Sequence, residues 1–148
     1  MRDFQNFDVM EKFFKFKGER GVKLMQLREL IFDTAESDSR IGSLSEELRW
    51  GDPSYLTAST GAGSTVRLGV SGEDRIAIFF NCKTTLVEMF REMHGDQLEY
   101  SKNRAVVIDP DNMPNDAILE KCIHMSLTYK LKSSCYSREK KVAKGERP

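Results

Sequence analysis

The sequence predicts an α+β fold: a mainly antiparallel five-stranded sheet with helices packed on it, in the order α-α-β-β-β-α-β-β-α. Three observations support this. Apolar residues recur at helical spacing near both ends, while alternating or continuous apolar runs of strand length fill the middle. Consecutive strands are joined by short connections, which favours antiparallel pairing. A chain of 148 residues is the size of one domain. A chain of that length buries about 68–70% of its unfolded surface, enough for a core without disulfide or metal staples.

The first third reads as two helices. Phe4, Phe7, Met10 and Phe14 form one stripe, and Leu24, Leu27, Ile31 and Thr34/Ala35 another, with Gly18 and Gly21 at the join. The phenylalanines are expected in the core. Lys23, Arg28, Glu29 and Asp33 fall largely off the second stripe. Leu48-Arg49-Trp50, Gly51-Asp52-Pro53 and Ser54-Tyr55-Leu56-Thr57 read as one strand kinked at 51–53, because proline within a strand marks a bulge or an edge. Residues 58–64 read as a flexible connection. Val66, Leu68 and Val70 alternate with Thr65, Arg67 and Gly69, the period of a half-buried strand with Arg67 facing away from the valines. After a turn at Ser71-Gly72-Glu73-Asp74, Ile76-Ala77-Ile78-Phe79-Phe80 is apolar on both faces and predicts a central strand.

Thr85 and Glu88 have capping-box spacing ahead of a helix faced by Leu86, Met89, Phe90 and Met93 and ended by Gly95. Residues 98–101 and 105–108 read as two further strands about a turn at Lys102-Asn103. The last helix begins near Pro114 or Asn115. Its stripes, Ile118, Cys122, Met125, Tyr129 and Leu119, Ile123, Leu127, Leu131, are together broad enough to lie flat on a sheet. The domain is expected to span residues 1–132. From Ser133 the chain turns polar and basic, with Arg138, Lys140, Lys141, Lys144 and Arg147, so 133–148 is expected to be a flexible tail.

Lys plus Arg number 23 and Asp plus Glu 23, for a net charge of zero. That balance argues against a dedicated nucleic-acid binder and gives no general attraction to anionic membranes. The N-terminus has no apolar signal core, and no stretch approaches the ~20 apolar residues that cross a bilayer, so a cytoplasmic location is expected. Cys82, Cys122 and Cys135 lack CxxC spacing, and an odd count does not suit a disulfide framework; inert thiols in a reducing compartment are expected. The sequence sets no oligomeric state.

No catalytic, cofactor or metal constellation stands out. Two histidines without HExxH or HxH spacing do not make a histidine-rich metal site. Asp109-Pro110-Asp111-Asn112 lacks the glycine and distal glutamate of a calcium loop. Gly61-Ala62-Gly63-Ser64-Thr65 lacks the lysine and following helix of a phosphate loop. Asn81-Cys82-Lys83-Thr84-Thr85 carries more signal. It joins a strand to a helix N-terminus, where free N–H groups and partial positive charge favour anions. Lys83 adds a full charge, and Thr84 and Thr85 add hydroxyls. Plain capping by Thr85 accounts for the same residues. Arg67 and Arg104 could join that site, or pair with Glu99 or Asp109, since a buried arginine needs a partner. Trp50 and Tyr55 flank the 51–53 kink and either line a pocket there or fill the core.

Leu27-Arg28-Glu29-Leu30-Ile31-Phe32 followed by Leu48-Arg49-Trp50-Gly51-Asp52-Pro53-Ser54-Tyr55 resembles the YdhG-like domain family, whose members carry such a helix and then a WGxPxY/F motif. Gly63-Ser64-Thr65-Val66-Arg67, Asn81-Cys82-Lys83-Thr84-Thr85-Leu86-Val87 and Asn103-Arg104-Ala105 look like one bacterial branch of it. The resemblance covers about residues 20–131. It implies a small α+β fold with an antiparallel sheet, and it implies no activity, although some members are described as frataxin-like iron chaperones. Iron delivery needs clustered carboxylates, here Glu29, Asp33, Glu36 and Asp38. The basic and hydroxylic motifs suit an anion better. The leading expectation is a binding domain for a small anionic or polar ligand held by Arg67, Lys83, Thr84, Thr85 and Arg104 beside Trp50 and Tyr55. An iron-binding chaperone, and a protein-interaction module using a strand edge or the last helix, are the alternatives.

Overall fold

The computed structural model describes residues 1–131. The basic segment expected from Ser133 lies outside the described residues. Helices α1 (Phe7–Lys15) and α2 (Gly18–Glu36) precede the strands β1 (Ser45–Arg49), β2 (Asp52–Leu56), β3 (Val66–Ser71) and β4 (Arg75–Phe79). Helix α3 (Leu86–His94), a 3-10 turn (Gly95–Gln97), β5 (Glu99–Ser101), β6 (Ala105–Ile108) and α4 (Asp116–Leu127) follow. Every strand pairing is antiparallel, and the sheet runs β1-β2-β3-β4-β6-β5.

The class is the expected α+β, but the sheet has six strands rather than five. The segment read as one kinked strand is a hairpin. Arg49 pairs with Asp52 across a two-residue turn, Trp50-Gly51, in which both residues have positive φ (56° and 79°). That geometry matches the twist of the flanking strands and reverses the chain instead of bending it.

One face of the sheet carries the core. Val66, Leu68, Ile76, Ile78, Val106 and Ile108 are buried there, against Leu24, Leu27 and Ile31 of α2 and Leu119, Ile123 and Leu127 of α4. The α1 stripe is rotated from the expected one. Val9 and Phe13 are buried, whereas Phe7 and Phe14 are exposed, so only part of the phenylalanine cluster enters the core.

A buried polar cluster ties α2 to the first hairpin. Arg28, expected off the buried stripe, has no exposed surface. Its Nε donates to Glu46 Oε2 at 2.6 Å and its Nη2 to Glu46 Oε1 at 3.0 Å. The other N–H groups reach the carbonyls of Arg2 and Asp3 and the Glu29 carboxylate. The Tyr55 hydroxyl donates to Glu46 Oε2 at 2.8 Å. Phe4 and Phe32 lie 4.2 and 5.1 Å from the guanidinium. A charge is tolerated in the interior only when paired and fully hydrogen-bonded, and this one is.

The connection 58–64, expected to be flexible, is docked. Ser64 N–H donates to the Ser126 carbonyl and Lys130 N–H to the Ala62 carbonyl, joining the loop to the end of α4. Gly63 lies against Leu127 so closely that a Cβ would overlap its backbone carbonyl. Gln5 and Asn6 side chains hydrogen-bond the backbone of Leu44 and Glu46, covering the β1 edge. Among the described residues, no helix is long and apolar enough to cross a membrane.

Candidate functional site

Register places Ser54, Arg67, Phe79 and Ala105 side by side on the sheet face opposite the helices, because each is the cross-strand partner of the next. A cavity of about 600 Å³ opens there, within the range of small-molecule sites. Its walls are the tip of the first hairpin (Arg49, Trp50), Ser54, Thr65 and Arg67, the end of β4 and the loop after it (Phe79 to Cys82), and Arg104 just before β6.

The centre of this wall is Phe79 between two cations. The Arg67 guanidinium lies 4.4 Å from the ring centroid and that of Arg104 5.4 Å, both within cation–π range. Arg67 also meets Asp52 at 3.4 Å, a long ion pair. Burial raises the Asp52 carboxyl above the ordinary aspartate range, while Arg67 and Lys12 oppose that shift. Arg49 pairs with Glu47 at 3.1 Å. Arg104 is exposed and makes no ion pair with a carboxylate among the described residues. The wall therefore carries three arginines and no carboxylate, an arrangement that attracts anions.

The expected site residues divide. Arg67, Arg104 and Trp50 come together at the cavity. Tyr55 does not: it is fully buried on the opposite face, its hydroxyl committed to Glu46. Burial and the Glu46 charge push that hydroxyl far above the ordinary tyrosine range, so it remains a donor. Thr84 and Thr85 do not line the cavity either. The Thr84 hydroxyl donates to the Asn81 carbonyl at 2.6 Å and accepts from Leu86 N–H, so it caps α3 itself. Thr85 makes no capping bond, and its N–H is taken by the Tyr129 hydroxyl. The capping box expected of Thr85 and Glu88 is thus replaced by a cap one residue earlier. Lys83 is exposed beside Cys82 and outside the cavity wall. Neither Glu99 nor Asp109 pairs with Arg67 or Arg104; both face Arg75 instead.

Phe79, the surface between the two arginines, was legible only as core. The available signal was the alternation itself: Arg75, Ala77 and Phe79 fall on one face, and Ile76, Ile78 and Phe80 on the other.

The carboxylates of the iron-chaperone alternative are otherwise engaged. Arg2 reaches Asp33 at 2.7 Å, Glu36 at 2.9 Å and Glu29 at 3.4 Å. Asp38 meets Arg40 at 2.7 Å and His124 at 2.9 Å, and these partners hold its carboxyl well below the usual range. Among the described residues, no group of three or more His, Cys, Asp or Glu side chains is placed to hold a metal ion. The apolar side chains of the last helix, proposed as an interaction surface, are largely buried against the core.

Among solved structures, the chain is similar to a protein of the DUF1801 family, YdhG, from Bacillus subtilis. The TM-score is 0.53 at 15% identity, over 81% of this chain and 89% of that one. The expected YdhG-like fold is therefore the one found, and at this identity the likeness concerns the fold alone. No family model matches the sequence, and no curated protein matches it.

Proposed function

We propose that this chain is a binding domain for a small anion, held on the outer face of the sheet between Arg67 and Arg104 rather than at the α3 N-terminus. The observation that carries this reading is the Phe79 ring flanked by two guanidiniums. Like charges gathered on one apolar surface repel, and Asp52 offsets only the Arg67 side. A bound anion relieves that repulsion and gives Arg104 an anionic partner, which no carboxylate among the described residues supplies. Arginine suits the task because its planar fork donates two parallel hydrogen bonds to a phosphate or carboxylate. Lys83, next to Cys82 in the chain, adds positive charge near the opening. The proposed activity is binding.

Isothermal titration with pyrophosphate, sulfate and citrate tests the reading. Saturable binding of at least one, weakened by salt as surface charge interactions are, is expected. Absence of binding by all three at low ionic strength would overturn it.

A further inference from the structure

Trp50 is the chain's only tryptophan, and it is 92% exposed at the tip of the first hairpin. It also has φ 56°. A bulky side chain rarely adopts that left-handed backbone, which asparagine, aspartate or glycine enters with less strain. The fold therefore gains little from Trp50: the indole is not buried, and the backbone would be better served by asparagine. Strain of this kind persists most often where it positions a side chain for a ligand. The same indole forms part of the cavity wall that holds Arg67, Phe79 and Arg104. At about 600 Å³ the cavity is large enough for a molecule of several rings, far larger than a bare phosphate needs.

From this juxtaposition we infer that the ligand is an anion built on a flat aromatic ring, with the ring stacked on Trp50 and the phosphate or carboxylate held by the arginines. The inference rests on the anion reading above and specifies its ligand class. An exposed indole offers an apolar face to any aromatic ring, and stacking of this kind contributes without hydrogen-bond geometry. The arginines supply the charge recognition that stacking lacks.

The test uses two matched pairs, adenosine monophosphate against ribose 5-phosphate and benzoate against acetate. Members of each pair share the anionic group and differ in the ring. Titration is followed by calorimetry and by the fluorescence of Trp50. The ring-bearing member of at least one pair is expected to bind about tenfold tighter than its partner and to quench Trp50 saturably; the preferred pair identifies the anionic group. Trp50→Asn should fold, with a thermal midpoint at or above that of the wild type, because asparagine suits the turn. It should lose the ring preference. Equal affinity within both pairs, or a ring preference that survives Trp50→Asn, would overturn the inference while leaving the anion reading standing. No binding by any of the four would overturn the inference, and the anion reading falls with it only if pyrophosphate, sulfate and citrate also fail to bind.

Discussion

Glu46 accepts two hydrogen bonds from Arg28 across the interface between α2 and the first hairpin, and neither side chain has any accessible surface. The pair is closed off by Tyr55 from one side and by Gln5 N–H from another. Removing one charge leaves the other buried and uncompensated, which costs about 3–5 kcal/mol. Glu46→Gln should therefore lower the urea midpoint sharply. Tyr55→Phe removes only one hydrogen bond to a charged acceptor and should cost about 1.5–3 kcal/mol. A Glu46→Gln variant as stable as the wild type would show that the pair is not holding the hairpin on α2.

Gly63 is the second structural test. A methyl group there would meet the carbonyls of Ser126 and Leu127, and the backbone on neither side is free to move without breaking the hydrogen bonds at Ser64 and Lys130. Gly63→Ala should destabilise by more than about 2 kcal/mol, measured by chemical denaturation. Gly61→Ala, where a Cβ would meet nothing within 4 Å but φ is positive, should cost about 1 kcal/mol.

The Asp52–Arg67 pair predicts how anion affinity depends on pH. Burial raises the Asp52 carboxyl, so it gains its proton at a higher pH than an ordinary aspartate. Protonation releases Arg67 from the ion pair and removes a negative charge from the cavity's edge. Sulfate, whose charge is constant through this range, should bind more tightly as pH falls through that raised value. About 1 kcal/mol, or roughly fivefold, is the scale of a partly exposed ion pair. Asp52→Asn should bind sulfate more tightly at neutral pH and show no such pH dependence. Affinity falling with acidity in the wild type would contradict the assignment.

Cys82 reports on the cavity because it forms part of the wall and is exposed. Cys122 is buried, and burial pushes its thiol up to about 12. In a Cys135→Ser background, one thiol should react with iodoacetamide in the native protein and a second only on unfolding. Saturating anion should slow the first reaction, since the thiolate is the reacting form and access governs its rate. Unchanged alkylation with bound anion would place the anion elsewhere.

The local periodicities were readable. The alternation at 66–70 placed Arg67 opposite Val66 and Leu68, and the spacing of Leu24, Leu27 and Ile31 gave the buried face of α2. What escaped had non-local causes. Arg28 is buried because Glu46, Tyr55 and the carbonyls of Arg2 and Asp3 are there to receive it, and no window around residue 28 contains those partners. The hairpin at Trp50-Gly51 was masked because tryptophan occupies a turn position that asparagine or glycine usually announces. Of the candidate site, the two arginines and Trp50 were visible as chemistry. Their meeting point, Phe79, was visible only once pairing had set it between Arg67 and Ala105.

The central claim is tested most directly by calorimetric titration of pyrophosphate into the wild type, Arg104→Ala and Arg67→Ala. Arg104 is exposed and makes no ion pair with a carboxylate among the described residues, so Arg104→Ala should leave the urea midpoint within about 0.5 kcal/mol of the wild type. Its affinity should fall at least tenfold, as expected for loss of a charge-assisted contact of about 1.4 kcal/mol or more, with a comparable fall for Arg67→Ala. Wild-type affinity retained by both variants would contradict the assignment of the anion to the arginines around Phe79.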